Sequence, residues 1–427
     1  MKLIFFRKEQ IISENKIMQD IIHYRDRKAR LLKSTDLLIN IKLLFFSSLI
    51  FLFSVSCFAD KPMSVLFADS EISRHPDIYA RWDYVTGTVL KAFENVWIKS
   101  GDKKYYDYIK KTVDAVVTED GKIDGYDIHE YNIDQIAEGR AILMLYKQTG
   151  EEKYKKAAQL LREQFKNHPR TSEGGFWHKQ IYPNQMWLDG LWMGAPFYAE
   201  YASIFNEPEI FDDVTKQFIL IYKHLRDEKS GLYYHAWDES KSMFWADKNT
   251  GLSKNFWGRG MGWYFMALVD VLDYLPKEHP KRDSLILIAK GLAEALTKVQ
   301  DKQTGLWWQV LDQGKREGNY LEGSASSMFV YAIAKSVRMK YIDKKYYDIA
   351  KKGYEGIIKH LIILDSRGNY NLTRICNVAG LGGKYKEKIR DGSFEYYAFI
   401  EPIVANDGKG TGPFIMACIE IEMAQNK

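Results

Sequence analysis

The sequence predicts an all-α fold, a closed toroid of helix pairs, and three observations predict it. Helical segments recur with one texture. Tyr105-Tyr106-Asp107-Tyr108-Ile109-Lys110-Lys111, Lys153-Tyr154-Lys155-Lys156-Ala157-Ala158 and Tyr346-Tyr347-Asp348-Ile349-Ala350-Lys351-Lys352 each set tyrosine at the start and apolar residues at helical spacing after it. Between helices a turn glycine recurs beside aromatic residues: Gly175-Phe176-Trp177-His178, Gly231-Leu232-Tyr233-Tyr234-His235 and Gly305-Leu306-Trp307-Trp308-Gln309. These lie 56 and 74 residues apart, too uneven for a simple solenoid but suited to helix hairpins with loops of varying length. Only 10 of 427 residues are proline while 14% are aromatic, which fits long helices with aromatic connections better than an all-β fold. In a closed toroid the Gly-aromatic loops gather at one mouth; for any single ring, packing of a loop onto a helix is the plainer reading.

In chain order, residues 1–59 come first and read as a leader. Basic residues from Arg25 to Lys42 precede the apolar run Leu43–Phe53, and small residues follow up to Ala59. This is the pattern of a secretory signal, and the run is short for a membrane span. Cleavage after Ala59 is expected, giving a secreted or periplasmic protein with no membrane span left. Lipidation at Cys57 is the alternative, although Ser54 stands where a lipobox prefers leucine. A retained N-terminal anchor is a third reading. Met18 is a candidate for the true start.

The leader also explains the charge. Its ten Lys/Arg and five Asp/Glu account for the net +5, leaving 51 of the 61 basic and 51 of the 56 acidic residues in the remainder. A neutral body gives no reason to expect a nucleic-acid surface. Past the leader Cys376 and Cys418 remain, too few for a disulfide framework and expected free. No Cys/His spacing suggests zinc, and no metal or cofactor is expected. From about residue 75 no linker interrupts the chain, so 60–427 is expected to be one catalytic domain.

The most informative stretch is Met186-Trp187-Leu188-Asp189-Gly190-Leu191-Trp192-Met193. Asp189 stands among two tryptophans and two methionines, where an unpartnered charge is costly. An acid in apolar, aromatic surroundings can hold its proton near neutral pH, as a carbohydrate-processing enzyme requires. The alternative is an acid placed favourably at a helix N-terminus. Asp134, in Asn132-Ile133-Asp134-Gln135, falls in the first turn of a helix running towards Gly150. There the dipole explanation is at least as good as a catalytic one. His178, with Lys179 beside it, and His235 occupy matching positions in two Gly-aromatic motifs; each is either a hydrogen-bonded structural residue or part of a site. In Trp257-Gly258-Arg259-Gly260-Met261-Gly262-Trp263 the arginine either receives a substrate carboxylate or holds a loop by cation–π packing.

Three segments in order carry a family resemblance: Trp187–Phe197, Trp257–Trp263 and Ala405-Asn406-Asp407-Gly408-Lys409-Gly410-Thr411-Gly412. From about Trp82 to Ala417 the chain resembles glycoside hydrolase family 105, the unsaturated rhamnogalacturonyl hydrolases. The resemblance implies an (α/α)6 barrel, a six-hairpin toroid, with its site at the mouth. It implies Asp189 as general acid/base and Asp134 as second carboxylate. It places Tyr84, His178, Lys179, His235, Trp257, Arg259 and Trp263 around the sugar. The implied substrate is an oligosaccharide ending in a 4,5-unsaturated uronic acid, whose C4=C5 enol ether is hydrated. The sequence alone leaves open a conventional inverting glycosidase using Asp134 and Asp189, an unsaturated glucuronyl hydrolase acting on another lyase product, and a non-catalytic glycan-binding protein. The sugar next to the uronate and the oligomeric state are not fixed by it.

Overall fold

The computed structural model describes residues 61–76, 81–385 and 387–425. The leader 1–59, with its signal-like run, lies outside them. Among the described residues the chain forms twelve α-helices: α1 (Met63–Arg74), α2 (Tyr84–Ser100), α3 (Lys103–Asp114), α4 (Gly139–Thr149), α5 (Glu152–Asn167), α6 (Leu188–Phe205), α7 (Ile210–Leu225), α8 (Gly258–Val271), α9 (Arg282–Val299), α10 (Gly323–Arg338), α11 (Tyr347–His360) and α12 (Gly408–Gln425). The even-numbered helices form an inner ring in which each packs on the next and α12 returns to α2. Each odd-numbered helix backs an inner one, with α1 covering α12. This is an (α/α)6 barrel. The inner helices α6, α8 and α10 are buried along nearly their whole length, whereas outer helices such as α3 and α5 bury one stripe.

The tyrosine-led segments begin outer helices or lead into them, and their rings do one job. Tyr105, Tyr154 and Tyr346 are buried. Tyr105 donates its hydroxyl to Asp69 of α1 at 2.7 Å, Tyr154 donates to Asp114 of α3 at 2.5 Å, and Tyr346 hydrogen-bonds Glu294 of α9. Each tyrosine thus ties its helix to the preceding outer one while burying a large apolar ring. Closure at the chain ends is made by Ser64, whose amide and hydroxyl donate to the Glu422 carboxylate at 2.9 and 2.7 Å.

Two of the three Gly-aromatic motifs belong to a longer repeat, Asp-x-x-Ser/Thr-Gly-Leu, found at 227–232, 247–252 and 301–306. In each, the aspartate carboxylate accepts from the Ser/Thr amide, at 2.7, 2.8 and 2.8 Å. The aspartate amide donates to the leucine carbonyl at 2.8, 2.9 and 2.9 Å, closing the loop. The glycines sit at φ 79°, 80° and 78°, a left-handed conformation that a side chain would strain. This turn is the local reason the glycine recurs.

Inside the ring lies a buried ionic cluster. Asp270 of α8 pairs with Arg140 of α4 at 2.9 Å and with Lys335 of α10 at 2.7 Å, and accepts the Tyr331 hydroxyl at 2.6 Å. Burial pushes the Asp270 carboxyl up, but Lys335 and Arg140 outweigh it and hold the group well below the usual carboxylate range. Three inner helices, two of them on opposite sides of α6, are thereby tied to one point. Cys376 and Cys418 are free and buried.

Candidate active site

The inner helices start at one end of the barrel, and the site lies where they start. Tyr84, Asp189, Arg259 and Lys409 occupy the first turns of α2, α6, α8 and α12. The repeated motifs bind those starts. The Ile133, Leu188 and Gly258 amides donate to the carbonyls of His178, His235 and Gln309, at 3.2, 3.1 and 2.9 Å. The last residue of each quoted motif therefore satisfies a free N–H at the start of an inner unit. Its side chain is delivered to the mouth at the same time.

Asp189 follows the short strand β1 (Gln185–Trp187), which pairs antiparallel with β2 (Ala236–Asp238), Trp187 opposite Ala236. That register brings His235 beside the acid: Nε2 is 3.1 Å from Asp189 Oδ2. The histidine is fully buried, and the Asp189 side chain keeps 14% exposure.

Asp134 lies in the 3-10 turn Ile133–Ile136, where Asn132 caps its amide at 3.1 Å. The helix beyond it is α4, which ends at Gly150 with a left-handed φ of 70°. The Asp134 carboxylate is 3.2 Å from His178 Nε2 and 2.6 Å from Lys179 Nζ. Burial alone raises this carboxyl, but Lys179 and His178 outweigh it and hold the group far below its ordinary value. Asp134 is a carboxylate at neutral pH.

Tyr84, at the start of α2, lies within electrostatic reach of both carboxylates. Burial first, then the Asp134 carboxylate, push its phenol well above the ordinary value, with Arg259 acting the other way. It stays protonated and able to donate. Lys409 Nζ lies 5.9 Å from the Tyr84 ring centre and is paired with Asp407 at 2.8 Å. Burial lowers the Lys409 ammonium's pKa. These two residues belong to the third family-like segment.

The geometry separates the two readings of Arg259. Its guanidinium lies 4.9 Å from the Trp257 ring and donates to the Cys376, Asn377 and Val378 carbonyls, the last at 2.6 Å. It is 1% exposed and holds the segment 376–378. The tryptophans likewise spend their faces on the protein. Trp187 is stacked by His178 at 4.6 Å and by Tyr182 at 5.0 Å. Trp257 lies against His235 at 4.5 Å, and its indole N–H donates to Gln309 at 3.2 Å. Trp263 stacks on Trp192 at 5.4 Å in the packing between α8 and α6. The aromatic enclosure thus positions histidines as much as it offers free surface.

Sequence reasoning missed Gln309, Tyr397 and Glu322. Gln309 had a signal, its equivalence to His178 and His235 in the repeat. Glu322 caps α10 through Ser324 and accepts from the Cys376 amide at 2.8 Å. Tyr397, 2.7 Å from His235 Nδ1, lies 162 residues away in sequence and had no signal.

Comparison with known proteins agrees with the geometry. The model for Glycosyl Hydrolase Family 88 matches residues 63–425. The structure of a glycoside hydrolase from family 105 of C. acetobutylicum ATCC 824 is 51% identical, covers 85% of this chain and 100% of its own, and superposes with a TM-score of 0.82. The unsaturated rhamnogalacturonyl hydrolase YesR of Bacillus subtilis is 28% identical over 274 residues, 62% of this chain and 74% of YesR. An unsaturated 3S-rhamnoglycuronyl hydrolase of Alteromonas sp. (strain LOR) is 27% identical over 186 residues, 43% of each chain. A ring of six helix hairpins, two carboxylates at its mouth and these matches lead to one assignment: the chain belongs to the glycoside hydrolases that the family 88 model gathers and, within them, to family 105.

Proposed function

We propose that this glycosidase removes a terminal 4,5-unsaturated galacturonic acid from rhamnogalacturonan oligosaccharides left by a lyase. One observation carries the reading: the two mouth carboxylates each face a histidine, and a lysine is paired with Asp134. Asp134 is fixed as an anion by Lys179 at 2.6 Å with His178 at 3.2 Å, whereas Asp189 has His235 Nε2 at 3.1 Å and lies in apolar, aromatic surroundings. Two acids in unlike settings divide into a charge holder and a proton carrier.

In this reading Asp189 delivers its proton to C4 of the enol ether, leaving an oxocarbenium-like cation centred on C5. Water held by Asp134 adds at C5, and its proton returns to Asp189. The hemiketal opens and releases the aglycone, so one water is consumed and the enzyme ends as it began. Lys179, whose side chain is 21% exposed, is better placed than Arg259 to meet the sugar's carboxylate. The gathered N-termini of the inner helices favour the same anion. The Bacillus relative's activity supports rhamnogalacturonan as the source. The Alteromonas relative, an unsaturated 3S-rhamnoglycuronyl hydrolase, keeps a second reading in view, an unsaturated uronyl hydrolase acting on another lyase product. Export through the leader 1–59 completes the proposal.

The test is a panel of unsaturated disaccharides differing in the second sugar, followed by loss of ultraviolet absorbance of the conjugated double bond. Pectin-derived fragments should lead, and Asp189→Asn should abolish turnover, a loss on the order of 100-fold or more. Native-rate turnover by Asp189→Asn overturns the mechanism. Preference for sulfated chondroitin-type fragments overturns the substrate.

A further inference from the structure

The segment between α11 and α12 folds over the site and brings one hydroxyl to it. Tyr397, in the turn Tyr396–Ile400, is fully buried. Its phenol oxygen lies 2.7 Å from His235 Nδ1, and the other ring nitrogen of His235 lies 3.1 Å from Asp189 Oδ2. One imidazole thus joins Tyr397 to the proposed acid. The hydroxyl is held in place from several sides. The Tyr397 ring stacks on Trp257, centroids 6.1 Å apart and planes 16° from parallel. The Gln309 side-chain amide donates to the Tyr397 carbonyl at 3.4 Å, and Arg259 fixes the start of the same segment through the 376–378 carbonyls.

Burial, and then the Asp189 carboxylate, push the Tyr397 phenol well above its ordinary value. It therefore keeps its proton as a donor. A neutral imidazole has one N–H and one lone pair, so the partner at Nδ1 decides what Nε2 offers Asp189. If Nδ1 carried the hydrogen, the Nε2 lone pair would face Asp189 Oδ2. That arrangement suits an acid whose proton is pinned on Oδ2 and repels the carboxylate left after proton delivery. If Nε2 carries the hydrogen, it donates to Oδ2 in both states.

We propose that Tyr397 is a positioning residue that acts through His235: it donates its O–H to Nδ1, fixes the Nε2–H tautomer, and so confines the working proton of Asp189 to Oδ1. The proton leaves Oδ1 for C4 and is replaced on Oδ1 from the attacking water, while His235 and Tyr397 keep theirs throughout. The role given to Asp189 rests on the proposed function; the tautomer of His235 does not.

The experiment has two arms, each on the full protein in its native and Tyr397→Phe forms, the latter keeping the ring on Trp257. In protein labelled with 15N-histidine, native His235 should show a protonated Nε2 and an unprotonated, hydrogen-bonded Nδ1, and Tyr397→Phe should lose this single pattern. In kinetics on the unsaturated disaccharide preferred by the native protein, Tyr397→Phe should lower kcat roughly 10- to 100-fold. KM should stay within about twofold, because the phenol acts on the transition state through His235 and does not bind the sugar. His235→Gln removes the tautomer choice, so adding Tyr397→Phe to it should cost no further activity. A native His235 protonated on Nδ1 overturns the proposal. So does a native kcat in Tyr397→Phe, or an equal loss in the His235→Gln background. Should the NMR pattern be as expected while native protein turns over no unsaturated disaccharide, the functional reading fails and the tautomer stands.

Discussion

His235 Nε2 lies 3.1 Å from Asp189 Oδ2 although 46 residues separate the two. The contact follows from the β1–β2 register, which sets Trp187 opposite Ala236 and leaves the next residue outward on each strand, Leu188 and His235, joined by a backbone hydrogen bond of 3.1 Å. The same construction sets His178 against Asp134 one unit earlier, where the Ile133 amide donates to the His178 carbonyl. A duplicated backbone arrangement has thus produced two histidine–carboxylate pairs. They differ in what else is present: Lys179 beside Asp134, and Tyr397 behind His235.

That difference gives the first prediction. Lys179→Met removes the lysine partner of Asp134, and with it the accessible cation proposed to meet the uronate. We expect kcat/KM on the unsaturated disaccharide to fall at least about tenfold, or ~1.4 kcal/mol. Unchanged kcat/KM in this variant would show that Lys179 does neither job.

The interior cluster predicts a stability effect without involving the site. Asp270→Asn leaves Lys335 with Asp273 at 2.6 Å and Arg140 with Glu200 at 4.0 Å, so the two buried cations are only partly compensated, and that is costly. Denaturant unfolding should show a loss of up to about 3 kcal/mol, the low end for a broken buried pair. Asp270→Asn combined with Lys335→Met should recover part of it, because one buried, only partly compensated cation is removed. A single variant of native stability would mean that the cluster is not what locks the inner helices.

Acid should weaken the fold in two stages. His168 is buried, its Nε2 2.7 Å from the Trp177 carbonyl, and burial lowers its pKa from 6.5 to about 4. The unfolded chain therefore binds the proton first. The contribution of His168 is complete above pH 6.5 and is lost as the pH falls from there to about 4. The loss is up to roughly 3 kcal/mol. Asp134 and Asp270 have the opposite charge type and the same sign of effect: their contributions are present above the ordinary aspartate value of 3.8 and are lost as the pH falls below it. Unfolding free energies measured from pH 8 to 4 in native protein and His168→Gln separate the first stage. An identical slope in the two would remove His168 from the account.

Export predicts a defined N-terminus. Protein recovered outside the cytoplasm should begin at Asp60 by N-terminal sequencing or intact mass. A chain retaining residues 1–59, or one acylated at Cys57, would replace cleavage after Ala59 with an anchor.

Much of the fold was legible because its determinants are local and repeated. Tyrosines at 105, 154 and 346 marked helices, which the structure places in the outer ring, since a buried ring with a hydroxyl at its edge suits the junction between neighbouring helices. The three Gly-aromatic motifs marked mouth loops, since glycine is required by a left-handed turn at 231 and 305. Asp189 stood out through its apolar neighbours. Arg259 was ambiguous for a physical reason: an arginine between tryptophans looks the same in sequence whether its donors meet a ligand or the 376–378 carbonyls.

The sequence by itself therefore determined the class of the fold, the ring of helix pairs and the short list of acids, because periodicity, turn chemistry and a misplaced charge are properties of neighbouring residues. Which acid a lysine pairs with, which imidazole nitrogen faces each acid and which hydroxyl stands behind His235 were decided only in three dimensions. Lys179 is far along the chain from Asp134, and Tyr397 farther still from His235. Electrostatics and hydrogen bonding act through space, and the toroid closes the distances that the chain leaves open.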